Sequence, residues 1–244
     1  KFIKNQLWPC SQMKLYTEVK NENLSEVFDF NNKHTKNNIF YMIENTKIMQ
    51  AMIKKIKKNK NISLLKNINI SEINNSGLLK SIKLNKKKFK YSLIIICAGS
   101  KSSLVKKIFK NETIENSYKE TSLVTILKHK SLKNNITRQI FLDDGILALL
   151  PVSKTQTSIV WSIEKKFNQK GDNFYKNKIK YYVGNYLKDI KFTSKLEYKD
   201  LNFLIRKKYY KDRILLFGDA LHVIHPFVGQ GFNMTLRDLS SLEK

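Results

Sequence analysis

The segment from Arg213 to Asp238 constrains this chain more than any other stretch. Ile214 to Phe217 is a short apolar run. It is followed by Gly218-Asp219-Ala220, His222, His225, Pro226 and Gly229-Gln230-Gly231, and then by Phe232 and Asn233 opening an amphipathic stretch. That order reads as a buried strand, a turn dense in Gly, Pro, Asp and His, and the start of a helix. Strand-turn-helix junctions of this kind present free backbone amides to a cofactor at the carboxyl edge of an α/β sheet. Asp219, immediately beyond the strand, is placed to accept hydrogen bonds from a sugar or ribityl hydroxyl. Gly229 and Gly231 carry no Cβ, so the backbone there can approach a planar ligand closely and adopt positive φ.

Two readings of the histidines stand side by side. Asp219, His222 and His225 have i, i+3, i+6 spacing, and two imidazoles with one carboxylate are the ligand set of a non-haem iron site. Against this, the positions only roughly share a helix face and Pro226 breaks any helix just beyond. A structural role for at least one histidine is the other reading. A second junction follows Leu93 to Cys97, where Ala98-Gly99-Ser100-Lys101-Ser102-Ser103 opens a helix. Its small residues suit either a ligand above the strand or ordinary helix capping by serine.

Composition narrows the class. The chain has 244 residues, 41% of them apolar and 11% aromatic, enough for a substantial core in one or two domains. Cys10 and Cys97 are the only cysteines, far apart, so no disulfide framework is expected and a reducing, cytoplasmic setting fits. The longest apolar run, Leu93 to Ala98, is far short of the roughly 20 residues that cross a bilayer. The net charge is +26, and of 46 basic residues 4 are Arg, leaving 42 Lys spread along the chain. Nucleic-acid recognition favours Arg for its fork geometry and gathers charge into one patch, so nucleic acid is not the expected partner. A diffuse lysine surface suits solvent, or peripheral contact with anionic lipid on the inner face of the cytoplasmic membrane.

The pattern predicts strands over Gln12 to Val19, Leu24 to Phe30, Ile62 to Leu65, Ile68 to Ile73, Leu79 to Leu84 and Ile214 to Phe217, with several longer ones between Ser122 and Ile163. Leu93 to Ala98 reads as a strand buried on both faces. Asn45 to Lys58 sets Ile48, Met49, Met52, Ile53 and Ile56 on one helical face, and Asn173 to Leu187 and Phe232 onward read as further helices. The fold class is α/β, a mixed α+β arrangement of two interleaved domains. An α/β half near 36–110 and 206–244 alternates with a mostly antiparallel β half at 1–35 and 111–205. The chain opens at Lys1 without an initiating methionine and ends at Lys244 within a helix, which suggests a fragment at both ends.

Gly218 to Asn233, closing with Arg237-Asp238, resembles the second FAD-binding motif of the class A flavin monooxygenases, and within them is most similar to the ubiquinone-biosynthesis hydroxylases. Tyr41 to Asn45, Gly145 to Pro151 and Ser158 to Trp161 are similar to other segments of that family. The resemblance implies a p-hydroxybenzoate-hydroxylase-like FAD domain, partial here, interleaved with an antiparallel substrate domain. It implies that Gly218, Asp219 and Ala220 meet FAD, with Asp219 on the ribityl chain. Pro226, Gly229, Gln230 and Gly231 would lie by the isoalloxazine ring, Phe232 would also meet the cofactor, and Asn233 would begin the helix whose positive end faces the pyrimidine carbonyl. It further implies NAD(P)H as reductant, dioxygen and a prenylated phenol as substrates, hydroxylation through a flavin hydroperoxide, and association with a membrane or a biosynthetic complex. No catalytic base and no metal are assigned.

Departures accompany the likeness. Ala98-Gly99-Ser100 stands where the family has Ala-Asp-Gly, an acid that the resemblance links to the pyrophosphate region and to reduction by the nicotinamide. Thr235 replaces a usual Gly, and Ile146 a usual Pro. No Gly-x-Gly-x-x-Gly occurs in the chain, so the first βαβ unit of the dinucleotide site is expected upstream of Lys1. Residues 1–244 alone are then expected to hold FAD weakly and to be inactive.

Overall fold

The structure is a computed structural model that describes residues 7–19, 23–31, 38–70, 72–84, 87–110, 112–167, 170–225 and 230–243. In chain order the elements begin with β1 (Trp8–Cys10), β2 (Gln12–Val19), β3 (Asn23–Asn31), β4 (Phe40–Met42) and α1 (Asn45–Lys58). Next come β5 (Ile73–Ser76), β6 (Leu79–Leu84), β7 (Lys87–Tyr91), β8 (Ile94–Ile96) and α2 (Ser103–Phe109). Then follow β9 (Thr113–Lys128), β10 (Ile136–Leu142), β11 (Gly145–Ser153), β12 (Gln156–Glu164), α3 (Gly171–Gly184) and β13 (Lys191–Phe192). The chain continues with β14 (Glu197–Arg206), β15 (Tyr210–Lys211), β16 (Ile214–Leu216), β17 (His222–Val223) and α4 (Gln230–Leu242). It divides into two compact units, residues 1–64 with 119–200 and residues 65–118 with 201–244. Residues 36–64, including α1, thus fall with the first unit.

The first unit is built on a sheet in the order β3-β2-β10-β11-β12-β9, with β13 beside β9. All neighbours are antiparallel except β2 and β10, which run parallel. Register places Tyr16, Ile140, Leu147, Trp161 and Leu123 in one row across five strands. That row is buried, as period-two alternation on a half-covered sheet requires. Helix α3 buries Tyr175, Ile179, Tyr182 and Val183 in the same core, a spacing of i, i+4, i+7, i+8 that makes one apolar stripe. Trp161 meets Tyr175 edge to face with centroids 5.7 Å apart, worth about 1 kcal/mol beyond the area buried. Beside them Lys178 holds the buried Asp144 at 2.6 Å.

The second unit holds the parallel pair β8 and β16, with Ile94, Ile95 and Ile96 opposite Ile214, Leu215 and Leu216. The hairpin β15–β16 and the meander β5-β6-β7 belong to the same unit. Ile82, Leu84, Ile94, Ile96, Val105, Phe109, Ile214, Leu216 and Ala220 form its core.

Several expectations need correction. Leu93 to Ala98 is not buried on both faces: Ile94 and Ile96 are buried, whereas Leu93 and Ile95 are 48% and 46% exposed. Only one face of the strand is covered among the described residues. Ile62 to Leu65 is not a strand, and of Ile68 to Ile73 only Ile73 enters one, as the first residue of β5, with Ser71 outside the described residues; Ile68 and Ile70 pack on the core without entering a ladder, so their alternation records burial alone. The α1 stripe forms with the expected bounds, but of its apolar side chains only Ile48 is buried. Helix α3 runs from Gly171 to Gly184, two residues earlier at its start than predicted and three earlier at its end. Strand β14, ten residues long, has no counterpart in the sequence reading, because Glu197, Lys199 and Asp200 mask the buried Leu201 and Leu204, and the buried Arg206 is itself charged.

Candidate cofactor site

Strand β16 delivers the chain to a turn at the carboxyl end of the parallel pair. Phe217 N–H donates to the Ile96 carbonyl at 3.0 Å, so the ends of β16 and β8 are joined. Gly218 then takes φ +61°, a left-handed conformation in which a side chain would be strained. Gly218–Ala220 forms a 3-10 turn closed by Leu221 N–H on the Gly218 carbonyl at 2.8 Å. Ala220 is buried and anchors the turn, which leaves Asp219 exposed and without a hydrogen-bond partner among the described residues.

Residues the sequence reading did not single out hold this turn. Arg206, at the end of β14, donates from its backbone N–H to the Leu221 carbonyl at 3.1 Å. Its Nε donates to the Ala220 carbonyl at 2.7 Å, and its Nη2 to the Ser100 carbonyl at 3.2 Å. Burial pulls the guanidinium below its usual range, and the charge of Glu115 opposes that shift. Tyr118 on β9 accepts a hydrogen bond from His225 N–H at 3.2 Å, and its ring meets the imidazole edge to face at 4.9 Å. One of four Arg in a chain with 46 basic residues was the one sequence signal available for Arg206.

His222 Nε2 lies 2.6 Å from Asp238 Oδ2 on α4. A carboxylate only accepts, so Nε2 carries the proton in this pair. That contact ties the segment after the turn to the helix and engages a nitrogen that the iron reading would assign to a metal. Among the described residues no group of three His, Cys, Asp or Glu side chains gathers as a metal site.

Helix α4 begins at Gln230, so Asn233 sits in its first turn instead of opening it, and the helix starts two residues before the predicted Phe232. Gln230, Phe232 and Asn233 are exposed, and a Cβ at Gly231 would meet nothing within 4 Å. The Thr235 methyl lies 3.8 Å from where a Cβ of Gly218 would be, which sets the helix against the turn. Thr235 Oγ1 donates to the Gly231 carbonyl at 3.3 Å. Pro226 and Gly229 lie outside the described residues.

After β8, Gly99 has φ +77° with open space where a Cβ would point. Ser102 Oγ accepts from Val105 N–H at 3.4 Å and caps α2, so this serine serves the helix. A cavity of about 340 Å³ lies at the opposite end of β16, between Glu72, Lys80, Lys107 and Asp212, away from both turns. An unpartnered exposed carboxylate, two open glycines and a buried cation fit a group that carries hydroxyls and negative charge.

Residues 77–244 match the family model described as an FAD binding domain. The chain therefore belongs to the FAD-binding domain family. Within it, the relatives agree with a class A flavin monooxygenase of the ubiquinone-hydroxylase group. "Ubiquinone biosynthesis monooxygenase COQ6, mitochondrial" of Dictyostelium discoideum is 25% identical over 83% of this chain and 52% of its own length. "Ubiquinone hydroxylase UbiM" of Neisseria meningitidis is 24% identical over 84% of this chain and 45% of its own. The chain thus spans about half the length of these curated relatives.

Solved structures share the fold. PqsL of Pseudomonas aeruginosa, titled a probable FAD-dependent monooxygenase, superposes with a TM-score of 0.78 at 15% identity over 95% of this chain and 66% of that one. The halogenase PltM, in complex with phloroglucinol and FAD, gives 0.74 at 16% identity over 95% and 51%.

Proposed function

We propose that this protein is an FAD-dependent monooxygenase that hydroxylates the aromatic ring of a polyprenylated phenol in ubiquinone biosynthesis, with NAD(P)H and dioxygen as co-substrates. The observation that carries the reading is the Gly218–Ala220 turn at the carboxyl end of β8 and β16, with Asp219 exposed and α4 starting close by. FAD, when bound, would supply the redox chemistry: reduced by the nicotinamide, it would activate dioxygen, of which one oxygen atom goes to the ring and the other leaves as water. The chain supplies orientation and charge. Asp219 would accept hydrogen bonds from ribityl hydroxyls, and Gln230 and Gly231 would line the ring, as the resemblance also implies for Pro226 and Gly229. The positive end of α4 favours negative charge on the flavin pyrimidine.

The substrate class is supported by relatives named ubiquinone biosynthesis monooxygenase and ubiquinone hydroxylase. A prenylated substrate resides in lipid, which suits a cytoplasmic protein making peripheral contact with an anionic membrane through some of its 42 lysines (46 basic residues less 4 Arg). Among the described residues no helix is long and apolar enough to cross a membrane. Gly99, which brings no acid to the middle turn, favours a second reading: a flavoprotein of the same fold in which nicotinamide reduction is slow.

The test supplies the protein with FAD, NADPH or NADH, dioxygen and a short-chain prenylphenol. Nicotinamide oxidation stimulated by the phenol, together with a product one oxygen atom heavier, is expected. Nicotinamide oxidation that yields hydrogen peroxide alone, whatever phenol is present, would refute the hydroxylase assignment.

A further inference from the structure

Arg206 joins the two turns that follow β8 and β16. The residue is 3% exposed, and its planar guanidinium spans from the Ala220 carbonyl at 2.7 Å to the Ser100 carbonyl at 3.2 Å. Both acceptors are neutral. Among the described residues Glu115 is the carboxylate that acts on it, through space, and Gly99 beside Ser100 brings no acid. A guanidinium remains protonated across the working pH range, and buried charges are ordinarily paired. A positive charge therefore sits between the two turns with its described hydrogen bonds made to dipoles instead of to an anion.

We propose that Arg206 is the positioning residue of the cofactor site. It locks the turn after β8 to the turn after β16, and it holds its charge for the anionic part of the bound cofactor. The first half stands on the hydrogen bonds alone, and the second rests on the FAD reading. Lysine preserves the charge but its ammonium lacks the fork that reaches two carbonyls in one plane, and glutamine preserves neither.

Native protein, Arg206→Lys and Arg206→Gln are compared in two ways. Amide hydrogen exchange without ligand reads residues 98–102 and 218–222, with β6 of the same unit as the internal control for folding. Binding of FAD is measured beside that of riboflavin, which lacks the phosphates. Both variants are expected to exchange faster at the two turns together while β6 is unchanged. The native preference for FAD over riboflavin should fall about tenfold or more in Arg206→Gln and be partly kept in Arg206→Lys. Loosening of one turn without the other overturns the lock, and an undiminished preference in Arg206→Gln overturns the charge role. If native protein binds neither flavin, the FAD reading fails and the charge role with it, while the exchange data still decide the lock.

Discussion

Gly99 offers a perturbation whose cost is readable from the backbone. It sits at φ +77°, and a Cβ built there meets nothing within 4 Å. Gly99→Ala therefore brings no clash, and its cost is the left-handed backbone itself, about 1–2 kcal/mol. In a chain of this size each kcal/mol lowers Tm by about 2–4 °C, so a fall of roughly 2–8 °C is expected in a calorimetric or fluorescence melt. Aspartate tolerates that backbone better than alanine, and its carboxylate would stand one residue from Ser100, whose carbonyl the Arg206 guanidinium already holds. Gly99→Asp should accordingly melt no lower than Gly99→Ala. It should also speed flavin reduction by NAD(P)H in an anaerobic rapid-mixing experiment, if the missing acid limits that step. A Gly99→Ala variant that melts as native, or a Gly99→Asp variant less stable than Gly99→Ala, would refute this account of the turn.

Gly145→Ala is the steric contrast. Its Cβ would lie 1.8 Å from the Ser162 carbonyl oxygen within the β11–β12 ladder, so a loss above about 4 kcal/mol is expected in urea unfolding; a cost like that of Gly99→Ala would contradict it. Lys178→Met strands the buried Asp144, whose Oδ1 has no partner. Because Lys178 is partly open, about 2–3 kcal/mol is expected instead of the full loss for a buried pair, and most of it should return in the double variant with Asp144→Leu. Burial pushes the Cys10 thiol from 9.0 up to about 11, so at pH 8 a thiol reagent should modify the exposed Cys97 first and reach Cys10 only on unfolding. The raised value favours the neutral thiol in the fold. Its contribution to stability is therefore present below pH 9 and lost as the pH rises through about 11, which equilibrium unfolding between pH 8 and 11 would read.

Legibility in the sequence followed the physics of each segment. Helix α1 and strand β2 have the bounds their periodicity gave, because a run of eight or more patterned residues outweighs local accidents. The closing turn was legible because Gly218, Asp219 and the short apolar strand before it are chemically distinctive. Arg206 and Tyr118 were not, since their roles depend on contacts to Ser100, Ala220 and His225 that are remote in sequence and no local pattern encodes them. Ile68 and Ile70 misled for the opposite reason: alternation implies burial on one side, and a ladder additionally needs a partner strand. The start of α4 at Gln230 instead of Phe232 reflects the permissiveness of Gly231, which a helix can include near its first turn at small cost.

The central claim is that the Gly218–Ala220 turn binds FAD. It is tested most directly by titrating the protein and its Asp219→Ala variant with FAD and following flavin fluorescence and Tm. No Gly-x-Gly-x-x-Gly segment is present in this chain, so affinity is expected to be weak and the titration runs to millimolar FAD. Native protein should show saturable quenching, with Tm raised by roughly 5–10 °C at a hundred times Kd, from about 2.7 kcal/mol of linkage. Asp219→Ala should bind markedly more weakly while melting as native without ligand. No saturable binding up to that concentration, or equal binding by the Asp219→Ala variant, would contradict the claim.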